Sequence, residues 1–268
     1  MDRNRKLFAD DTALVAVTEE KQQRLVEDFG VVCERRKLKV NVGKSKVMRC
    51  SRGGQRPELS VRLNGEMLEE VESFRYLGGE IYRSAKMSVE VEQRTKEGMA
   101  TFGAMKSIWR VKEVGMNAKK TLYESIIVPT VLYGGEAWGL KKAERERLDV
   151  MEMKCLRSMC GVTRLDRVEN VELRRRVGVS RPMGVRAQEK VLSWFGHMER
   201  MNGERLTKRV YESEVEGARG RGRPPKGWMS AVKDALEERS MTVRDARVIC
   251  QNRSEWRTGV YGRTDAEN

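Results

Sequence analysis

Two adjacent carboxylates, Asp10 and Asp11, stand between the apolar runs Leu7-Phe8-Ala9 and Thr12 to Val17. Both runs are rich in strand formers, so the pattern predicts a β-hairpin with two acids at its tip. Paired carboxylates on a tight bend suit a hard cation such as Mg²⁺, which takes oxygen ligands and keeps several waters. The same pair serves equally well as a merely solvated turn, and four residues do not decide between the two. Lys44 and Lys46 lie in Gly43-Lys44-Ser45-Lys46-Val47-Met48. They either place cations beside a phosphate or form a solvated basic turn. Phe74-Arg75-Tyr76-Leu77-Gly78-Gly79 reads as part of a short hairpin, where glycine lets backbone approach a ligand closely. Arg219, Arg221, Arg223 and Lys226 belong to a segment, 217–227, too rich in Gly and Pro to be regular.

The elements that must hold these residues are legible as an α+β pattern. After the acidic hairpin, Thr18 offers an N-cap and Glu19 and Glu20 a first helical turn. Leu25, Val26, Phe29, Val32 and Cys33 recur at helical spacing, which predicts an amphipathic helix over 19–36. Leu38, Val40 and Val42 alternate as in a strand, with another strand over 46–50. Asn64-Gly65 marks a type I′ hairpin between runs 59–63 and 66–71. A third short pair surrounds Gly78-Gly79. From about residue 86 the pattern turns helical. Met99, Phe102, Met105, Ile108 and Trp109 share one face, a helix ends before Pro129, and a long charged helix covers 141–159. Further helices are expected near 185–201 and 228–238. The domain reading is 1–84, then a helical region 85–160, then a helical, basic region 161–268.

Charge narrows the partner class. The 268 residues hold 54 Lys+Arg against 40 Asp+Glu, a net charge of +14. The excess is +5 over 1–60, zero over 61–140, +4 over 141–180 and +5 over 181–268, so it belongs to no single tail. A spread positive field suits a polyanion that touches several segments. No stretch has the roughly 18 apolar residues of a membrane helix, and no secretory h-region follows Met1–Lys6. An intracellular protein, nuclear or cytoplasmic, with no membrane partner is therefore expected. The five cysteines are odd in number and form no Cys-x-x-Cys pair, which points to free thiols. His197 is the sole histidine, so a zinc site is not indicated.

The order of these segments resembles the second half of the palm of non-LTR (LINE-like) retrotransposon reverse transcriptases. Phe8-Ala9-Asp10-Asp11, the lysine-bearing segment 43–48 and Tyr76-Leu77-Gly78 follow one another as in that family. Tyr133-Gly134-Gly135-Glu136-Ala137-Trp138, the run Trp194 to Met201, and the run Gly220 to Trp228 continue the likeness along most of the chain. The resemblance implies an incomplete palm, a helical thumb and a helical C-terminal region. It implies Asp10 as a metal ligand, Asp11 as a supporting one, and Mg²⁺ or Mn²⁺ as cofactor of the intact parent enzyme. Phe8 would lie near the primer end or nucleotide, or else pack as a strand aromatic. Lys44 and Lys46 would face the leaving pyrophosphate, and Tyr76, Leu77 and Gly78 would grip the primer. The implied reaction is two-metal phosphoryl transfer on an RNA template and a DNA primer. The family's first catalytic Asp lies on a strand well before the Asp-Asp turn. Only nine residues precede Asp10 here, so the expectation is a fragment, inactive alone, that binds metal weakly or not at all. The alternative is a non-catalytic nucleic-acid-binding module derived from such an element. Arg221-Gly222-Arg223-Pro224 also resembles an AT-hook core, which lies in the minor groove of A·T-rich DNA. Arg219, Arg221, Arg223 and Lys226 would then contact nucleic acid, specifically or through phosphates alone, or form a basic linker.

Overall fold

The computed structural model describes residues 5–49, 59–83, 87–213 and 227–262; of residues 5–8 and 87 it describes the backbone. The chain divides into two units, with the change at Lys86–Met87. In the first unit, β1 (Arg5–Phe8) and β2 (Asp11–Leu14) form an antiparallel hairpin. Helix α1 (Glu19–Arg35) follows, and the Thr18 hydroxyl accepts from the Lys21 amide at 3.3 Å, as an N-cap does. The hairpin β4 (Arg62–Leu63) to β5 (Glu66–Met67) turns on Asn64 and Gly65, both at positive φ. The hairpin β7 (Ser73–Tyr76) to β8 (Gly79–Tyr82) turns on Leu77 and Gly78. A two-residue pair of β3 (Lys46–Val47) and β6 (Glu69–Glu70) is parallel.

These strands make four separate two-stranded sheets. Their small core is Val26, Val47, Val61, Leu63 and Leu68. Helix α1 also completes an open strand edge. The Gln23 amide donates to the Arg62 carbonyl at 3.0 Å and accepts from the Arg62 amide at 2.8 Å, while Glu19 accepts from the Ser60 amide at 2.7 Å. One turn apart on the helix, these two side chains satisfy backbone that has no second strand beside it. The strand expected over Leu38, Val40 and Val42 is absent. Asn41 instead accepts from the Lys44 amide at 3.0 Å and starts a short 3-10 turn over Val42–Lys44. A local Asn side chain thus outcompetes the ladder.

The second unit is helical. Helices α2 (Met87–Ala104), α3 (Lys106–Arg110), α4 (Met116–Leu122), α5 (Val128–Val131), α6 (Lys142–Cys160) and α7 (Asn170–Val177) build one core cluster. Phe102 and Trp109 stack within it at 4.6 Å. The expected helix end before Pro129 does not occur. A π-helical turn over Tyr123–Ile127 widens the spacing and joins α4 to α5. Pro129 then falls in the first turn of α5, where a missing amide is tolerated. Helix α8 (Met183–Glu199) belongs to this cluster through Met183 and Ala187. It belongs to a second one through Val191, Leu192 and Phe195. Helices α9 (Leu206–Glu212), α10 (Trp228–Glu237), α11 (Val243–Ile249) and α12 (Arg253–Tyr261) surround that second cluster. The described cysteines, Cys33, Cys155, Cys160 and Cys250, are free thiols. No helix among the described residues is long and apolar enough to cross a membrane.

Two contacts fix the helical unit. Glu152 is fully buried on α6, where Arg174 of α7 donates to its Oε2 at 2.9 Å and the Tyr123 hydroxyl lies 3.5 Å from its Oε1. Burial outweighs the arginine and raises the Glu152 pKa, and it pushes the Cys155 thiol up to about 12. The second contact is at Gly196, where an added Cβ would meet Trp256 Nε1 at 2.1 Å. That indole is itself held by a 3.1 Å hydrogen bond to the Leu192 carbonyl.

Two outcomes follow from these contacts. Gly196→Ala should cost about 1–3 kcal/mol in urea unfolding, because a rigid buried ring cannot step aside. A carboxyl whose folded pKa exceeds its unfolded value binds more protons when native, so its contribution falls as pH rises from 4.5 through the raised value. Glu152→Gln removes that segment. Its unfolding free energy should therefore change less than the parent's as pH rises above the ordinary carboxylate value of 4.5; an unaltered pH dependence would contradict the assignment.

Candidate functional site

The acid pair sits where the chain reverses. Phe8 pairs with Asp11 across the hairpin, so Ala9 and Asp10 are the two turn residues and Asp11 opens β2. The turn is one residue earlier than the sequence pattern suggested, with Asp11 inside the ladder. Ala9 has φ +49°, in the left-handed region that costs a non-glycine residue about 1–2 kcal/mol. Such strain persists where the surrounding structure imposes it, and it concentrates at functional sites. Asp10 and Asp11 are both exposed, which leaves their carboxylates in water and open to a cation or polar ligand.

The β7–β8 hairpin is also closed by two residues. Leu77 has φ +49° and Gly78 φ +76°, so this turn also places a bulky residue where glycine is favoured. Leu77 is exposed and Tyr76 half-buried. Among the described residues, no strand joins this hairpin to the acidic one in a common sheet. Of the two lysines, Lys44 is exposed at the end of the 3-10 turn. Lys46 is engaged by Glu69 at 2.5 Å, which compensates its charge locally. Phe8 lies in β1, and its side chain is outside the described residues, as are Arg219, Arg221, Arg223 and Lys226.

Two downstream motifs, together with Trp228, prove to be joints of the helical unit. Gly134, at φ +69°, lets the chain enter a 3-10 turn over Gly135–Ala137. Glu136 in that turn receives the Trp228 indole N–H on its carbonyl at 2.8 Å and faces Lys190 of α8 at 3.7 Å. A Cβ added at Gly139 would meet the Gly227–Trp228 backbone at 3.5 Å. The Tyr133–Trp138 motif and Trp228 are therefore brought together over α8. In the Trp194–Met201 motif, Gly196 seats Trp256, and Glu199 accepts from the Tyr211 hydroxyl at 2.5 Å. Exposed His197 stands 5.1 Å from the Trp194 ring.

The buried Glu152–Arg174–Tyr123 group was not anticipated. Its signal was present, since Glu152 lies four residues after Leu148 and one after Met151 on the apolar face of α6. Among the described residues, no group of three or more His, Cys, Asp or Glu is placed to hold a metal ion.

The chain is similar to an uncharacterised transposon-derived protein of Caenorhabditis elegans, with 26% identity over 93% of this chain and 92% of that protein. It is also similar to the RNA-directed DNA polymerase from the mobile element jockey of Drosophila melanogaster. That likeness is 25% identity over 62% of this chain, and it spans 19% of the polymerase. These similarities support a retrotransposon-related origin. No family model matches, and no solved structure matches.

The strained turn gives a direct test. Ala9→Gly should stabilise the hairpin by up to about 1 kcal/mol, and Ala9→Val should destabilise it, as read by hydrogen exchange of the β1 and β2 amides. Equal exchange in all three proteins would mean that Ala9 does not occupy the left-handed region.

Proposed function

We propose that the chain is the distal palm, thumb-like region and basic C-terminal region of a non-LTR retrotransposon reverse transcriptase, and that its own retained activity is nucleic-acid binding. The observation that carries this reading is the Phe8-Ala9-Asp10-Asp11 hairpin, whose strained two-residue turn exposes adjacent carboxylates. Similarity to the jockey polymerase over 177 residues supports it. The spread charge of +14 suits an RNA template with a DNA primer.

Phosphodiester synthesis in this family uses two divalent cations, one to activate the attacking hydroxyl and one to neutralise the triphosphate. Asp10 and Asp11 on one exposed hairpin do not fit such a centre by themselves, and no third acid joins them among the described residues. No catalytic step follows from these two carboxylates alone. In this reading the isolated chain binds Mg²⁺ or Mn²⁺ weakly and does not extend a primer. Lys44 is the more available of the two lysines for a phosphate, because Lys46 already holds Glu69. Tyr76, Leu77 and Gly78 approach the primer, and Arg219, Arg221, Arg223 and Lys226 add phosphate contacts. A non-catalytic binding module shares the charge but gives the strained acidic turn no task.

The discriminating experiment exchanges the aligned segment of the jockey polymerase for this chain and assays primer extension with Mg²⁺. The chimera should extend, and its Asp10→Asn variant should lose at least about a hundredfold in rate, as expected when a charge-stabilising group is removed. Extension that ignores Asp10→Asn would overturn the reading.

A further inference from the structure

The nine-residue connection 161–169 between α6 and α7 is a built loop rather than a loose one. Gly161, at φ +68°, ends α6, and the Val162 amide donates back to the Arg157 carbonyl at 3.0 Å. Val162 and Val168 pack into the core at either end. Between them the Thr163 amide and hydroxyl both donate to one Asp166 carboxylate oxygen, at 2.6 and 2.8 Å. The Leu165 amide donates to the Thr163 hydroxyl at 3.2 Å, and the Arg167 amide to the Arg164 carbonyl at 3.3 Å. Those hydrogen bonds hold the Asp166 carboxyl below its ordinary pKa.

This internally braced loop presents Leu165 with 91% of its surface exposed. Exposed Arg164 and Arg167 flank it, and neither guanidinium has an ion-pair partner among the described residues. Helix α7 follows at once with Val171, 73% exposed, and with Arg175 and Arg176, which share the single Glu172 carboxylate. From 154 to 176 the chain carries seven Lys or Arg against three Asp or Glu. Single exposed leucines are ordinary. One held outward by its own loop's hydrogen bonds, between two exposed arginines, has a chemistry to match. Guanidinium groups bind phosphate in a fixed geometry, and apolar side chains set between them lean on sugars or wedge at a base step in a shallow groove.

We propose that the Arg164–Arg167 loop, with Arg175 and Arg176 of α7, is a docking surface for a nucleic-acid duplex. The arginines engage backbone phosphates and Leu165 contacts the groove edge. The proposal rests on the nucleic-acid reading above, yet is independent of the acidic hairpin.

The test uses the full chain and a fluorescein-labelled RNA–DNA duplex, with affinity followed against salt concentration. Arg164→Ala/Arg167→Ala should flatten the log–log salt slope by about two, since each phosphate contact contributes roughly 0.9. Leu165→Ala should weaken binding severalfold and leave the slope unchanged. These side chains lie outside both helical cores, so thermal unfolding should match the parent. A double variant with the parent's slope and affinity overturns this surface while the nucleic-acid reading stands. A parent chain that binds no duplex at any salt concentration overturns that reading as well. Leu165→Ala that alters self-association and not duplex affinity assigns the loop to contacts between copies, and also overturns the proposal.

Discussion

A two-residue reversal between four-residue strands is the constraint on which the functional account depends. With Phe8 opposite Asp11, the ladder continues up to the turn and leaves only Ala9 and Asp10 to close it. Closure forces Ala9 to φ +49°, a conformation that glycine would adopt more easily. In exchange, two successive carboxylates leave the chain at the bend, one from the turn and one from the first ladder position. A longer, relaxed loop would not hold adjacent acids in a defined relation. Asn64-Gly65 and Leu77-Gly78, with both residues of each pair at positive φ, close the other two hairpins, so the first unit carries three narrow tips on a small core.

The helical unit follows a different logic, in which short sequence motifs act as joints. Helix α8 contributes to both core clusters; Gly196 seats the buried Trp256 ring, and Lys190 faces Glu136. Trp228 returns to the Glu136 carbonyl, so the end of the Gly/Arg/Pro segment is tied at Gly227–Trp228 to the turn after α5. Glu152 adds a buried charge that needs Arg174 to be tolerable; removal of one partner of such a pair costs far more than the pair contributes. That pair fixes α7 against α6, and with it the end of the Leu165 loop.

Much of this was readable from residue order. Thr18 capped the helix expected after it, Asn64-Gly65 formed its turn, and α6 and α10 fall where the apolar periodicity placed them. Three readings missed for local reasons. Asn41 folded back on Lys44 and replaced a strand by a 3-10 turn, a competition that alternation alone does not reveal. Pro129 did not end its helix, because a π-helical turn moved it to a position where it needs no amide partner. The acidic turn shifted by one residue, since strand register depends on partner pairing and not on the run of apolar letters. The Glu152–Arg174 pair was hidden for another reason: its partners lie 22 residues apart and meet only once α7 packs on α6.

The relation between the acidic turn and a divalent cation is the central claim, and a Mn²⁺ titration followed by amide NMR tests it most directly. Paramagnetic broadening should appear first at residues 9–12, at cation concentrations in the millimolar range, on top of cross-strand contacts between Phe8 and Asp11. Broadening centred elsewhere on the chain, or helical amide–amide contacts running through 8–12, would contradict it.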